Sequence, residues 1–228
     1  VEAISITDCP DQLCIDRPWM VIDRSGSPTD GTIYVTSMNA DQPLIVTPPY
    51  HPYLAVSTDT GVSFSTPRLL DTLGYLVGND ITKPMPTPSI AADGTILAIY
   101  PSYLTTQSFL VQLIMAKSID QGVDVDHSIV LQSSSGVSDP FAKLAAKLFA
   151  DPSDASHLMY IFLDQQNGDL DVNYIESFDQ GDSWTNPQRI NDDQIGNGVM
   201  QDMIWGTFND NGDAIVTWRD RRSVGSAG

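Results

Sequence analysis

Three of the 11 basic residues in this chain of 228 crowd into one stretch, Trp218-Arg219-Asp220-Arg221-Arg222, and another stands in Asp16-Arg17-Pro18-Trp19. Planar guanidinium forks grip carboxylates through paired, charge-assisted hydrogen bonds. In a chain of formal charge −18, the cluster reads either as a binding site for a carboxylate-bearing ligand or as arginines ion-paired with Asp220 at a strand end. Trp19 and Trp218, by their arginine neighbours, are the aromatics nominated as walls of such a site. Tyr34, Tyr100, Tyr103 and Trp205 read instead as packing between sheets.

Other chemistries find little support. His51, His127 and His157 are scattered without the spacing of a zinc site or a histidine-based triad, and no glycine-rich phosphate loop follows a strand. The runs Asn209-Asp-Asn-Gly-Asp213 and Asp164-Gln-Gln-Asn-Gly-Asp-Leu-Asp171 have the oxygen density of calcium loops but no bidentate Glu in place. They read as turns, and no metal or cofactor is expected.

The elements that must position these residues follow from composition. A hydrophobic content of 41% is enough to bury a core, and no run approaches the length of a membrane-spanning helix. The 29 acidic residues are nearly all Asp, with Glu only at Glu2 and Glu176, which favours turns over helices. The charge repels phosphate backbones and anionic bilayers, so neither nucleic acid nor membrane is an expected partner. Cys9 and Cys14 lie close together in Cys-Pro-Asp-Gln-Leu-Cys. A local disulfide in an exported protein is the favoured reading and a reduced pair the alternative, so the expected location is secreted, periplasmic or at the cell surface. The chain starts at Val1 with no leader, which reads as a processed or trimmed chain.

An internal repeat sets the architecture. Ser57-Thr-Asp-Thr-Gly-Val-Ser-Phe64, Ser118-Ile-Asp-Gln-Gly122 and Ser177-Phe-Asp-Gln-Gly-Asp-Ser-Trp184 recur about every 60 residues, each after a short apolar run. The Ser and Asp side chains can bond amides inside a turn, Gly can take the positive φ that closes it, and the eighth-position aromatic can fold under the hairpin. The middle copy is degenerate, with Val125 at that position. In phase with these, Asp30-Gly, Asp93-Gly and Asn211-Gly precede alternating apolar runs. Each period holds four strands, one blade of an all-β propeller in a single domain over 1–228. The blades fall at about 17–70, 86–132 and 140–190, with an incomplete one from 200. Residues 141–149 have helical spacing, but repeat phase assigns them to a strand.

The Ser-x-Asp-x-Gly-x-x-aromatic boxes at this period resemble the Asp boxes of the sialidase superfamily. The resemblance implies a six-bladed propeller, of which about three and a half blades are present and the rest lie beyond Gly228. It also implies a glycan or glycoconjugate as partner, with Asp41 in the place of the general acid, Arg17 as a first carboxylate-binding arginine, and Asp202 where the family carries a nucleophile-activating Glu. Arg219 and Arg221 stand where a second arginine is expected. Arg17-Pro18 lacks the intervening Ile of the family motif, and Asp202 is one methylene shorter than Glu. Two readings stay open: an exo-sialidase-like glycoside hydrolase, and a noncatalytic surface or secreted propeller that binds glycans or proteins.

Overall fold

The computed structural model describes residues 15–39, 52–70, 86–102, 112–132 and 146–222, and these contain strands and turns without a helix. The first sheet orders β1 (Ile15–Ile22), β2 (Ile33–Asn39), β3 (Pro52–Ser57) and β4 (Arg68–Leu69). The second repeats the order with β5 (Thr87–Ile90), β6 (Ile96–Ser102), β7 (Gln112–Ser118) and β8 (Asp126–Gln132). The third does so with β9 (Lys147–Ala150), β10 (Leu158–Asp164), β11 (Asp171–Ser177) and β12 (Gln188–Arg189), and β13 (Gln201–Phe208) pairs with β14 (Ala214–Asp220). All pairings are antiparallel. The protein is a β-propeller of four-stranded blades.

Alternation along the strands explains why the blades stack. In β6, Ile96, Ala98 and Tyr100 enter a core shared with the first blade, while Leu97 and Ile99 enter one shared with the third. In β10, Leu158, Tyr160 and Phe162 face the second blade, while Met159, Ile161 and Leu163 face Ile204 and Phe208 of the fourth. A strand with both faces apolar is buried on both sides, and that forces sheet upon sheet. The first strands line up at the centre, β1 against β5, β5 against β9 and β9 against β13. Side chains of one inner strand bond the next: the Leu148 and Ala150 amides donate to the Thr87 and Ser89 hydroxyls at 3.2 and 3.0 Å.

The hairpins between third and fourth strands share one geometry. The Ser57 hydroxyl donates to Asp59 at 2.8 Å and accepts from the Gly61 amide at 2.9 Å, while Asp59 accepts from the Ser63 amide at 2.9 Å and its hydroxyl at 2.6 Å. Ser177, Asp179, Gly181 and Ser183 reproduce this set. The middle copy folds identically despite its missing aromatic, with Asp120 accepting from the Asp124 amide at 3.0 Å, but Asp124 has no hydroxyl to add. Phe64 stays 40% exposed, so the turn closes through its polar bonds and not through the ring, whereas Trp184 packs on the core and donates to the Gly181 carbonyl. These turns also brace the neighbouring blade: a Cβ on Gly181 would meet Met115 Cε at 2.2 Å, and one on Gly122 would meet Leu54 at 2.5 Å.

Candidate functional site

Sheet order fixes which residues can meet. The Asp hairpins and the turns between first and second strands share one end of the blades. The N-terminal ends of β1, β5, β9 and β13 share the other with the C-terminal end of β14. Arg17, Trp19, Lys147, Asp202, Arg219 and Arg221 belong to this second end or the strand segments leading from it.

Two inner strands are bulged at the same place. β1 shifts register between Asp16, opposite Met38, and Trp19, opposite Thr36. β13 shifts between Asp202, opposite Arg219, and Trp205, opposite Thr217. An extra residue in one strand re-aims the side chains beside it. In β13 the cost shows at Met203, whose φ of 54° lies in the left-handed region, about 1–3 kcal/mol uphill for a bulky side chain. The matching bulges bring Trp19 and Trp205, from the first and fourth blades, into a stack with centroids 5.6 Å apart and planes at 25°.

Lys147, the first residue of β9, completes this axial group, with Nζ 4.8 Å from the centroid of the Trp205 ring. Burial pushes its ammonium below the usual lysine range, and among the described residues no carboxylate pairs with it. The Trp19 indole N–H is buried without an acceptor among the described residues. Trp205 remains 47% exposed. A partly desolvated cation, an unused donor and two indoles converge where the inner strands begin, the mix of apolar walls and few polar groups that ligand sites use.

The arginines have a different setting. Asp202 is 1% exposed; its Oδ1 accepts from Arg219 Nε at 2.5 Å, and its Oδ2 accepts from Arg219 Nη2 and, at 2.7 Å, from Arg221 Nη2. Burial works to raise the pKa of Asp202, but the two guanidinium groups outweigh it and hold the carboxylate ionised. Arg222 reaches Asp192 and Asp220 at 2.8 Å each. Beside this cluster, Arg189 bonds Asp171 and Asp193, and the Asn191 amide donates to Asp171, Asp193 and Gln201.

Of the residues nominated from sequence, Asp202, Arg219 and Arg221 form one cluster and Trp19 joins the axial stack. Trp218 packs, partly buried, against the core between the third and fourth blades. Arg17 lies within the bulged part of β1, and Asp41, Cys9 and Cys14 fall outside the described residues. The sequence reading missed Lys147 and placed Trp205 in the core. The signal that could have found Trp205 is a second repeat, Asp16-x-x-Trp19 and Asp202-x-x-Trp205, in which Asp and Trp bracket the same bulge.

No protein-family model matches the chain, and no curated protein matches it by sequence. Solved structures match by fold. A Hadza microbial sialidase superposes with a TM-score of 0.58 at 16% identity, over 91% of this chain and 40% of its own. The Penicillium chrysogenum α-L-arabinanase complexed with arabinobiose gives 0.61 at 16%, over 90% and 57%. The GH93 α-L-arabinofuranosidase of Fusarium graminearum, also with arabinobiose, gives 0.59 at 14%, over 90% and 56%. What the chain shares with these structures is the fold, a β-propeller. This chain spans 40% to 57% of the length of these structures.

Proposed function

We propose that this chain belongs to a propeller that recognises glycans at the axial mouth formed by β1, β9 and β13. The observation that carries the reading is the stacked pair Trp19 and Trp205, one indole half exposed, at the start of the inner strands. Indole faces suit the C–H faces of sugar rings, and large aromatics are held in such an open position at a cost in exposed apolar surface. Two neighbours in fold, an arabinanase and an arabinofuranosidase, were solved with arabinobiose. Further blades, supplied beyond Gly228, close the ring in this reading, and the protein works after export with Cys9 and Cys14 bridged. The test is calorimetric titration of the full-length protein with neutral and acidic oligosaccharides. Trp205→Ala is expected to weaken binding about tenfold or more, a change of about 1.4 kcal/mol; an unchanged affinity would place the glycan elsewhere.

A glycoside hydrolase is the second reading, favoured by the buried, ionised Asp202 at the same end of the blades. Here Asp41 protonates the leaving oxygen or activates water, and Arg17 with Arg219 or Arg221 binds a substrate carboxylate. For that, the arginines must exchange Asp202 for the ligand, because their forks already hold it. Hydrolysis of a fluorogenic sialoside or an arabinan by the parent, lost in Asp41→Asn, supports this reading; no turnover of either sugar removes it.

A further inference from the structure

The axial group contains a cation with no ion-pair partner among the described residues. Lys147 is desolvated by β9 and the strands around it, rests on the Trp205 ring and faces no carboxylate among the described residues, in a chain of formal charge −18. The described arginines at this end of the blades are already engaged: Arg219 and Arg221 with Asp202, Arg222 with Asp192 and Asp220, Arg189 with Asp171 and Asp193. A partly desolvated lysine without any of the described carboxylates as partner is costly to the free fold. A ring face returns only part of what a carboxylate would give. The buried Trp19 indole N–H, also without an acceptor among the described residues, is a second unmet demand at the same place.

Both demands are for oxygen, and one of them is for negative charge. We propose that Lys147 is the charge-selecting residue of the axial subsite, and that the subsite takes a pyranose bearing a carboxylate on its rim, as in a polyuronate chain. The inference rests on the glycan-recognition reading and names its substrate class. The ligand carboxylate draws the Lys147 ammonium off the Trp205 ring, the sugar ring covers the indole face so vacated, and a sugar oxygen accepts from Trp19 Nε1. The arginine forks stay on Asp202, so selection for charge passes through one flexible point charge and not through a rigid bidentate clamp.

The experiment compares the full-length protein with its Lys147→Met and Lys147→Arg variants, using trigalacturonate, sialyllactose and neutral arabinotriose as probes. Expected is tight binding of trigalacturonate by the parent, a loss of about tenfold or more in Lys147→Met, partial retention in Lys147→Arg, and no change for arabinotriose. Lys147→Met is also expected to raise the unfolding midpoint of the free protein, because it removes a desolvated charge; a lysine with a structural partner would lower it instead. Preference for sialyllactose over trigalacturonate would overturn the uronate assignment. Equal binding of acidic and neutral probes by parent and Lys147→Met would overturn the role of Lys147 while leaving glycan recognition standing. Binding of no probe would overturn both.

Discussion

The Asp hairpins and the axial mouth sit at opposite ends of the same blades and treat their polar groups in opposite ways. In each hairpin, the Ser and Asp side chains find partners within a few residues, so a turn on the surface satisfies itself. At the mouth, Lys147 and the Trp19 indole lack such partners among the described residues. Groups that are satisfied locally stabilise a scaffold; groups left unmatched on a rigid scaffold are available to a ligand. Between the two extremes lies the Asp202 cluster, at the mouth but internally paired.

That intermediate standing gives the largest predicted effect. If the arginines around Asp202 are structural, Arg219→Ala combined with Arg221→Ala leaves a carboxylate 1% exposed without compensation, at a cost of about 3–5 kcal/mol in urea unfolding. A cost below about 1 kcal/mol, the scale of exposed pairs, would move both arginines to the ligand side of the comparison.

The hairpin end is sharpened by glycine substitutions. Gly181 has a φ of +87° and its added Cβ would strike Met115, so Gly181→Ala should cost about 2 kcal/mol. Gly198, at φ +77° with open space around it, should cost about 1 kcal/mol for the conformation alone. Equal thermal shifts for the two variants would mean that the hairpins do not brace the neighbouring blade.

The smallest effects are expected in acid. The Ser63 hydroxyl and amide hold Asp59 down at about 2, and Ser183 does the same for Asp179. Because these folded values lie below the ordinary 3.8, their contribution is complete above about pH 4 and is lost as pH falls towards 2. Carbon-13 titration of the side-chain carboxyls checks both. Asp120 is also lowered, chiefly by the Asp124 amide, and Asp124→Ser should lower it further by supplying the missing hydroxyl. Titration of all three near 3.8 would contradict the closed-turn geometry.

How far the sequence reveals this molecule follows the same division. The hairpins are legible because their interactions are local: Ser, Asp and Gly stand at fixed offsets, and even the copy ending in Val125 folds as the others do. Repeat phase also outweighs helical spacing where the structure describes it, for Lys147–Ala150 is a strand held by β5 and β10. The axial group is not local. That Lys147 meets Trp205, and Trp205 meets Trp19, depends on three inner strands far apart in sequence and on two bulges marked only by the Asp-x-x-Trp spacing. Trp205 read as core because large aromatics usually are. The pairing of Arg219 with Asp202 was half legible: arginines ion-paired at a strand end were foreseen, but Asp220 was named as partner, since Asp202 reaches them only across the bulged strand pair.

The most direct measurement of glycan recognition at the mouth follows the indole N–H signals of the full-length protein, labelled with nitrogen-15 tryptophan and assigned by single Trp→Phe variants, during titration with the bound oligosaccharide. The account predicts that the Trp19 and Trp205 signals shift in saturable fashion while that of Trp184, whose indole donates to Gly181 in the third hairpin, stays in place. Saturable binding that moves Trp184 and leaves Trp19 and Trp205 unchanged would contradict it.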